Sequence, residues 1–595
     1  MTSRSARILL GGLCAAALST SIAVAQTKPL AVVDAEIFDA TGAAPYRGTL
    51  VVKDGRILAV GPKVKAPKGA TIVDAKGAAL IPGLFDVHTH WTPAGAPAVI
   101  PKIADAYLAS GVTTVNDFHQ QPESFAPRRA WLGTLTAPHV NFVARMSTPG
   151  GHGADWADQA TTRWVDTPES ARLAVDEIAA YKPDAIKAFT DGWRYGSAPD
   201  NTSMDAWTLK ALTEAAHKHN LKVLTHTVTV ERGKVAASSG VDVIAHSLQD
   251  EPVDADTIAA IKASGLFYAP TLAVYEPVKP GAKPPADPDS PRNVQARRKF
   301  GYALGNVKAL FDAGVPVALG TDAGMPGTPH GPSTLRELEL LVQAGLTPSQ
   351  ALVAGTATSA KAMNLIADRG TLEAGKRADF VLVSGKPWET ISDVRRTERV
   401  FLDGQAVFGP GAVRSAANDK ATPPAVKAAA LIDDFERADG RTSLDTLRLD
   451  DFDGGRDRSL EVSQVIIREG GGKVLSVGAR MATKDDASAG VLLPLTRGSV
   501  VPADASAFKG LKFAVRGDGG AYVVTLVGAA GRWSTKVEAD PQWKSVELPF
   551  TVFKPVAVRG EAPAFTGTDL LQVGVEGERA AGTKLWFELD DVAFY

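Results

Sequence analysis

Two histidines one residue apart carry the first chemistry in this 595-residue chain. They close the run Leu80-Ile81-Pro82-Gly83-Leu84-Phe85-Asp86-Val87-His88-Thr89-His90, which reads as a buried strand. Side chains in a strand alternate faces, so residues i and i+2 point the same way. His88 and His90 therefore share one face at the strand's end, and neutral imidazoles converging there suit a first-row divalent metal. An H-x-H alone is weak evidence, because it occurs by chance in ordinary strands. Here further ligand-type residues recur at the ends of later strand-like runs: Lys187, His226, His246 and Asp322. That recurrence points to a metallohydrolase site.

The elements that must position these residues alternate in type. Strand-like runs end at His90 and then span 112–118, 140–146, 185–189, 223–226, 243–246, 266–272 and 315–322. Helical stretches separate most of them; 206–219 places Leu209, Leu212 and Ala216 at helical spacing. Eight strands in this pattern predict an α/β chain with a (β/α)8 TIM barrel over residues 80–379. Active sites of such barrels lie at the C-terminal strand ends, where all six residues fall. Helices are also predicted at 333–344 and after Thr347, which caps a turn begun by Pro348.

Residues 28–79 are strand-rich, with Asp54-Gly55 as a hairpin turn. Strands return at 380–383 and 400–402, followed by Asp403-Gly404. Residues 28–79 with 380–410 are expected to form one small composite β-sandwich into which the barrel is inserted. Residues 411–430, with Pro423 and Pro424, read as a linker. Residues 431–595 alternate short apolar runs with Gly/Asp turns, as in a β-sandwich, and contain no histidine.

The N-terminus reads as a processing segment. Arg4 and Arg7 precede an apolar run at 8–18, and Ala23-Val24-Ala25 is a cleavage pattern, so residues 1–25 are expected to be a signal peptide. The run is too short and interrupted for a convincing membrane span. Cys14, the single cysteine, lies within it and follows Leu13, a poor lipobox ending; soluble export to the periplasm or beyond is expected. The mature chain then has no disulfides and no cysteine catalysis. Without Arg4 and Arg7 there are 62 basic against 66 acidic residues, a net charge of −4, which gives no electrostatic case for nucleic-acid binding.

On its motifs the chain resembles the amidohydrolase superfamily across about residues 28–410. The landmarks are IPGLFDVHTH (81–90), GVTTVND (111–117), DAIKAF (184–189), His226, AHS (245–247), GTDAG (320–324) and LEAGKRADFVLV (372–383). It looks most like the imidazolonepropionase-like and prolidase-like hydrolases, several of which cleave dipeptides or N-acyl amino acids. The resemblance implies two divalent ions, with zinc suited to the set and manganese or cobalt acceptable. His88, His90 and Asp322 would hold one, His226 and His246 the second, and an N6-carboxylated Lys187 would bridge them. An ammonium cannot ligate a cation, whereas its carbamate is an anion long enough to span two ions. Two ions can bind a shared hydroxide at neutral pH for attack on an amide carbonyl. Asp322 would accept the water's proton and pass it to the leaving amine. The departure is IKAFTDGW (186–193), which lacks the serine-glycine run expected after the lysine.

His152, in a glycine-rich loop after the third strand, resembles a GGH near the substrate in relatives, and His330 follows the last strand; both are candidate substrate contacts. His119 and His139 are read as structural, His217 and His219 as solvated or structural. The C-terminal region is similar to complex-I intermediate-associated-protein-30-like and galactose-binding-like carbohydrate jelly rolls through LIDDFE (431–436), FKGLKFAVRGDG (508–519), WKSVELPF (543–550) and FELDDVAFY (587–595). That resemblance implies a carbohydrate or surface ligand, with Trp533 or Trp543 as stacking platform; the competing reading makes both core residues of a docking or stabilising module. The function expected is hydrolysis of a small amide or peptide C–N bond. The alternatives are a cyclic amide, lactone or phosphotriester at the same site, or an exported binding protein with a non-catalytic barrel.

Overall fold

Seven parallel strands follow one another around a near-closed barrel: Leu84–Thr89, Val112–Asp117, His139–Ser147, Ala185–Phe189, Lys222–His226, Val243–Ala245 and Phe267–Ala269. This architecture comes from a computed structural model that describes residues 28–91, 99–154, 161–191, 202–454, 457–556 and 564–595; the expected cleavage site at Ala25 lies outside them. The strands are buried on both faces, as a parallel sheet covered by helices must be.

The eighth strand expected at 315–322 is not a regular strand. The segment closes the barrel through single bridges, Val317 to Tyr268 and Ala323 to Thr89. Pro316 has no amide hydrogen to give a ladder, and Asp322 sits at φ 60, off the extended backbone. Closure nevertheless uses backbone hydrogen bonds on both sides: Val87 N to Leu319 O at 2.9 Å, Asp322 N to His88 O at 2.8 Å, and Ala318 N to Tyr268 O at 2.9 Å. A short strand within the barrel segment escaped the sequence reading: Thr162–Trp164 pairs in parallel with Arg145–Ser147 at the end of the third barrel strand.

Leu30–Ile37, Tyr46–Lys53, Arg56–Gly61, Thr71–Asp74 and Ala79–Pro82 share one sheet with Phe380–Val383, Thr397–Leu402 and Gln405–Phe408. Ala79–Pro82 pairs antiparallel with Phe380–Val383 and runs through Gly83 into the first barrel strand. A Cβ at Gly83 would lie 2.1 Å from Thr113 Oγ1, so only glycine fits that crossing. Asp54-Gly55 and Asp403-Gly404 both take positive φ at both positions, the geometry that two-residue hairpins favour. His139 joins this sheet to the barrel floor: its Nε2 lies 3.1 Å from Asp379 Oδ2, and the other Asp379 oxygen accepts the Asp403 amide at 2.8 Å.

Pro332–Gln343 is helical, and Thr347 caps Pro348–Val353 in a reciprocal capping box with Gln350. The segment after 411 does not hang free. Arg414 and Asn418 both reach Asp105, and Asn418 also bonds Thr136.

The C-terminal region is all-β, two sheets closing on one apolar core. Trp533 is 2% exposed within that core, so it cannot stack on a sugar. The guanidinium groups of Arg468 and Arg516 lie over the Trp543 ring. The two sheets press against the barrel. Val500 is buried in the barrel's apolar cluster, and Gly498 packs so closely on Ser124 that a Cβ would meet it at 2.5 Å. Buried Glu123 pairs with Arg441 and accepts the Leu447 amide at 2.8 Å.

Candidate active site

The site is assembled from the barrel interior outward. Asp86 shares the inward face with His88, one pleat deeper, and is fully buried. One of its oxygens accepts the Thr321 amide at 3.1 Å; the other accepts the hydroxyls of Thr321 at 2.7 Å and Thr334 at 2.8 Å. Burial pushes its carboxyl up to about 7, with these hydrogen bonds pulling the other way. Asp86 thereby fixes the strand carrying His88 and His90 against the segment carrying Asp322. A parallel device serves the opposite wall. Buried Glu337 accepts the amides of Leu272 at 2.8 Å and Ala273 at 2.6 Å, anchoring the turn that holds Thr271.

On this base the predicted ligands come together. His90 Nε2 lies 2.9 Å and His88 Nε2 3.3 Å from one oxygen of Asp322. Lys187 Nζ is 3.4 Å from His88 Nε2. His246 places a ligand atom within 4.8 Å of those of His88 and Asp322, and its Nδ1 is 2.9 Å from the Thr271 hydroxyl. His246 (φ 82), Thr271 (φ 47) and Asp322 (φ 60) all hold left-handed backbone. Such conformations are costly for non-glycine residues and gather at functional sites. Gly324 is required beside them: at φ 102, a Cβ there would lie 2.0 Å from the His90 carbonyl.

Burial sets the charge state. It drives His88 and His246 well below the usual histidine range, and the neighbouring cations add to the effect. It takes His226 down to about 4 and Lys187 down to about 7. Burial opposes ionisation of Asp322, yet His88, His90 and Lys187 hold it below the usual carboxylate range. His88, His226 and His246 rest as neutral imidazoles and Asp322 as an ionised carboxylate, which is the protonation state a divalent cation requires of its ligands. Phe118 packs on His88 at 4.3 Å and Phe189 stacks on His226 at 5.5 Å, giving the donors an apolar wall.

His246 groups with His88 and Asp322, and His226 with His152 and Asp191; the rings of His226 and His246 are themselves 4.0 Å apart between centroids. Asp191 Oδ2 lies 3.2 Å from His152 Nδ1 and 3.3 Å from His226 Nε2. The Nδ1 of His152 is thus directed at a carboxylate. His330 Nδ1 is 3.0 Å from the Tyr107 hydroxyl, next to Gly324. His119, read as structural, lies in the site, its Nδ1 3.1 Å from His90 Nδ1. His217 and His219 pair with Asp242 and Asp176 at the surface. Sequence reasoning missed Asp191, although it is the residue that makes TDG depart from the expected serine-glycine run.

The loop bearing His152 is tethered from three sides. Arg145 Nη2 donates to the Gly153 carbonyl at 3.2 Å, and the Thr162 hydroxyl donates to the same oxygen at 2.8 Å. Arg458, from the C-terminal sheets, donates to the Ala154 carbonyl at 2.7 Å. Arg458→Ala is expected to raise KM about threefold to tenfold, the worth of one hydrogen bond, with metal content unchanged. Steady-state kinetics check this; an unaltered KM would show that the loop does not depend on that contact.

Comparison with known proteins agrees with this geometry. A family model described as "Amidohydrolase family" matches residues 79–407. The imidazolonepropionase of Deinococcus radiodurans is 26% identical over 380 residues, covering 58% of this chain and 87% of its own. A crystal structure from Bifidobacterium longum, provisionally assigned as a prolidase, superposes with a TM-score of 0.57 at 27% identity, covering 66% of this chain and 98% of that one. A Xaa-Pro dipeptidase with bound methionine in its active site shares the fold, with a TM-score of 0.56 at 23% identity over 64% of this chain and all of that one.

Proposed function

Because the chain belongs to the amidohydrolase family, and so is a metal-dependent hydrolase acting on carbon–nitrogen bonds, we propose that it cleaves the amide of a dipeptide or N-acyl amino acid outside the cytoplasm. The convergence of His88, His90, Lys187 and Asp322 on one buried patch carries the proposal. The donors fit two divalent ions, zinc as the natural occupant, held by these residues together with His226 and His246. Such ions supply Lewis acidity toward the carbonyl and lower the pKa of water.

The rest is the work of the chain itself. Burial leaves the Lys187 amine substantially neutral near pH 7, and the neutral amine is the form that reacts with CO2 to give a carbamate. Asp322 takes the proton of the attacking water and delivers it to the departing nitrogen. His90, His88 and the strained backbone at Asp322 hold that carboxylate in place. His152 and His330 are the side chains assigned to orient the two sides of the scissile bond. The apolar wall of Phe118 and Phe189 keeps bulk water from the donors.

The test is a hydrolysis panel on zinc-loaded mature protein: dipeptides, N-acyl amino acids and one cyclic amide. Turnover of a dipeptide or N-acyl amino acid is the expected result. Turnover confined to the cyclic amide would move the assignment to the second reading, which the imidazolonepropionase relatives favour. We also propose that residues 1–25 are removed on export. The intact mass of the extracytoplasmic protein should begin near Gln26, and a mature chain retaining Met1 would refute this.

A further inference from the structure

Lys279 follows the seventh barrel strand on the face where the strands end. Its Nζ donates to the Ala273 carbonyl. Its stem runs beside Gly327, where a Cβ would lie 3.5 Å from Lys279 Cγ and Cε. Gly327 lies in the turn closed by Thr328 N to Met325 O at 2.9 Å, between Asp322 and His330. The lysine is half-buried and pairs with no carboxylate among the described residues. The acidic groups that act on it are engaged elsewhere. Glu276 holds Arg336 at 2.6 Å, Glu337 accepts the Leu272 and Ala273 amides, and Asp322 faces His88 and His90. Burial pulls the ammonium below the usual lysine range, with Glu276, Glu337 and Asp322 acting against it. A half-buried cation whose one partner is a carbonyl is costly until an anion meets it.

His330 stands past the same turn, with its Nδ1 3.0 Å from the Tyr107 hydroxyl. Its Nε2 has no hydrogen-bond partner among the described residues. Tyr107 is fully buried and stacks on Trp91, ring centroids 5.8 Å apart. We propose that Lys279 and His330 form the subsite that receives the substrate's carboxylate, with Tyr107 as the positioning residue that donates to Nδ1 and so leaves the imidazole hydrogen on Nε2. The chemistry has a reason. In a dipeptide or N-acyl amino acid the carboxylate stands two bonds from the nitrogen that must leave. A lysine close enough to act on Asp322 therefore holds that anion while Asp322 delivers its proton to the adjacent nitrogen. The ammonium supplies charge and the imidazole supplies direction, and charge-assisted hydrogen bonds of this kind are the strong ones.

This inference rests on the amide-cleaving reading above and can fail separately from it. Zinc-loaded protein is titrated by calorimetry with L-leucine and with L-leucinamide, a pair that differs in the carboxylate. Hydrolysis of N-acetyl-L-leucine is followed on the same preparation. Leucine should bind at least about tenfold more tightly than its amide, the worth of a hydrogen bond to a charged group. Lys279→Met keeps the stem beside Gly327 and should reduce that preference to about twofold or less; Lys279→Arg should restore part of it. Tyr107→Phe keeps the ring on Trp91 and should narrow the preference about threefold, because the hydrogen is then free to sit on Nδ1. A tyrosine that merely packs would leave the preference intact, and that result overturns the tautomer assignment. Native protein that binds both ligands alike, or Lys279→Met protein that keeps the full preference, overturns the subsite. A Lys279-dependent preference without turnover of N-acetylleucine would uphold the subsite and sink the amide-cleaving reading. Turnover with a preference indifferent to Lys279 would do the reverse.

Discussion

Lys187→Ala protein should lose bound metal and hydrolysis together. Lys187 is buried, with its Nζ 3.4 Å from His88 Nε2. On the proposed reading, in which a carbamate on Lys187 would bridge two cations, alanine removes that anion, and Lewis-acid stabilisation worth several kcal/mol would go with it. A fall in turnover of at least about 10³-fold is expected, with metal stoichiometry dropping in the same preparation. Acetate or formate should restore part of both by supplying carboxylate oxygens to the space the side chain vacated. Metal analysis and turnover on the same sample decide the matter. A Lys187→Ala protein with two ions and full activity would remove the carbamate from the mechanism.

Asp322→Asn separates binding from proton transfer. The amide oxygen can still face His90 and His88, where the carboxylate now sits at 2.9 and 3.3 Å. It cannot accept a proton near neutral pH. Metal should be largely retained while turnover falls about 10²–10⁴-fold, the range for loss of a general acid–base. Undiminished turnover would reassign the proton to another group, and loss of metal would make Asp322 chiefly a ligand. The contrast with Lys187→Ala is the informative part: one variant loses the ions, the other keeps them without the reaction.

The cluster was legible because strands advertise themselves: alternation puts His88 and His90 on one face, His226, His246 and Asp322 each close an apolar run, and Lys187 interrupts one at the middle of Ala185–Phe189. The barrel was legible for the same reason. What escaped lies where no periodicity operates. Asp191 stands two residues past a strand, and only the folded loop turns it toward His152 and His226. His119 is likewise carried onto His90 by the chain's path after the second barrel strand. The irregular eighth segment was hidden by its apolar content, since sequence records hydrophobicity and not the φ of 60 at Asp322. The attachment of the C-terminal sheets rests on single residues, Arg441, Arg458 and Val500, drawn from regions that otherwise read as an independent module.

The sheet shared by the two ends of the barrel segment has a consequence for how the protein is made. Ala79–Pro82 finds its antiparallel partner only in Phe380–Val383, and Arg56 meets Asp368 across the same seam. Contacts this distant in sequence slow folding. At about 5–20 residues per second of synthesis, the early strands wait roughly 15–60 s for the partners that cover their edge. Until then the nascent chain carries an open strand edge that invites aggregation. The same delay keeps it unfolded, and an unfolded chain is the form that can still be threaded through a translocation pore.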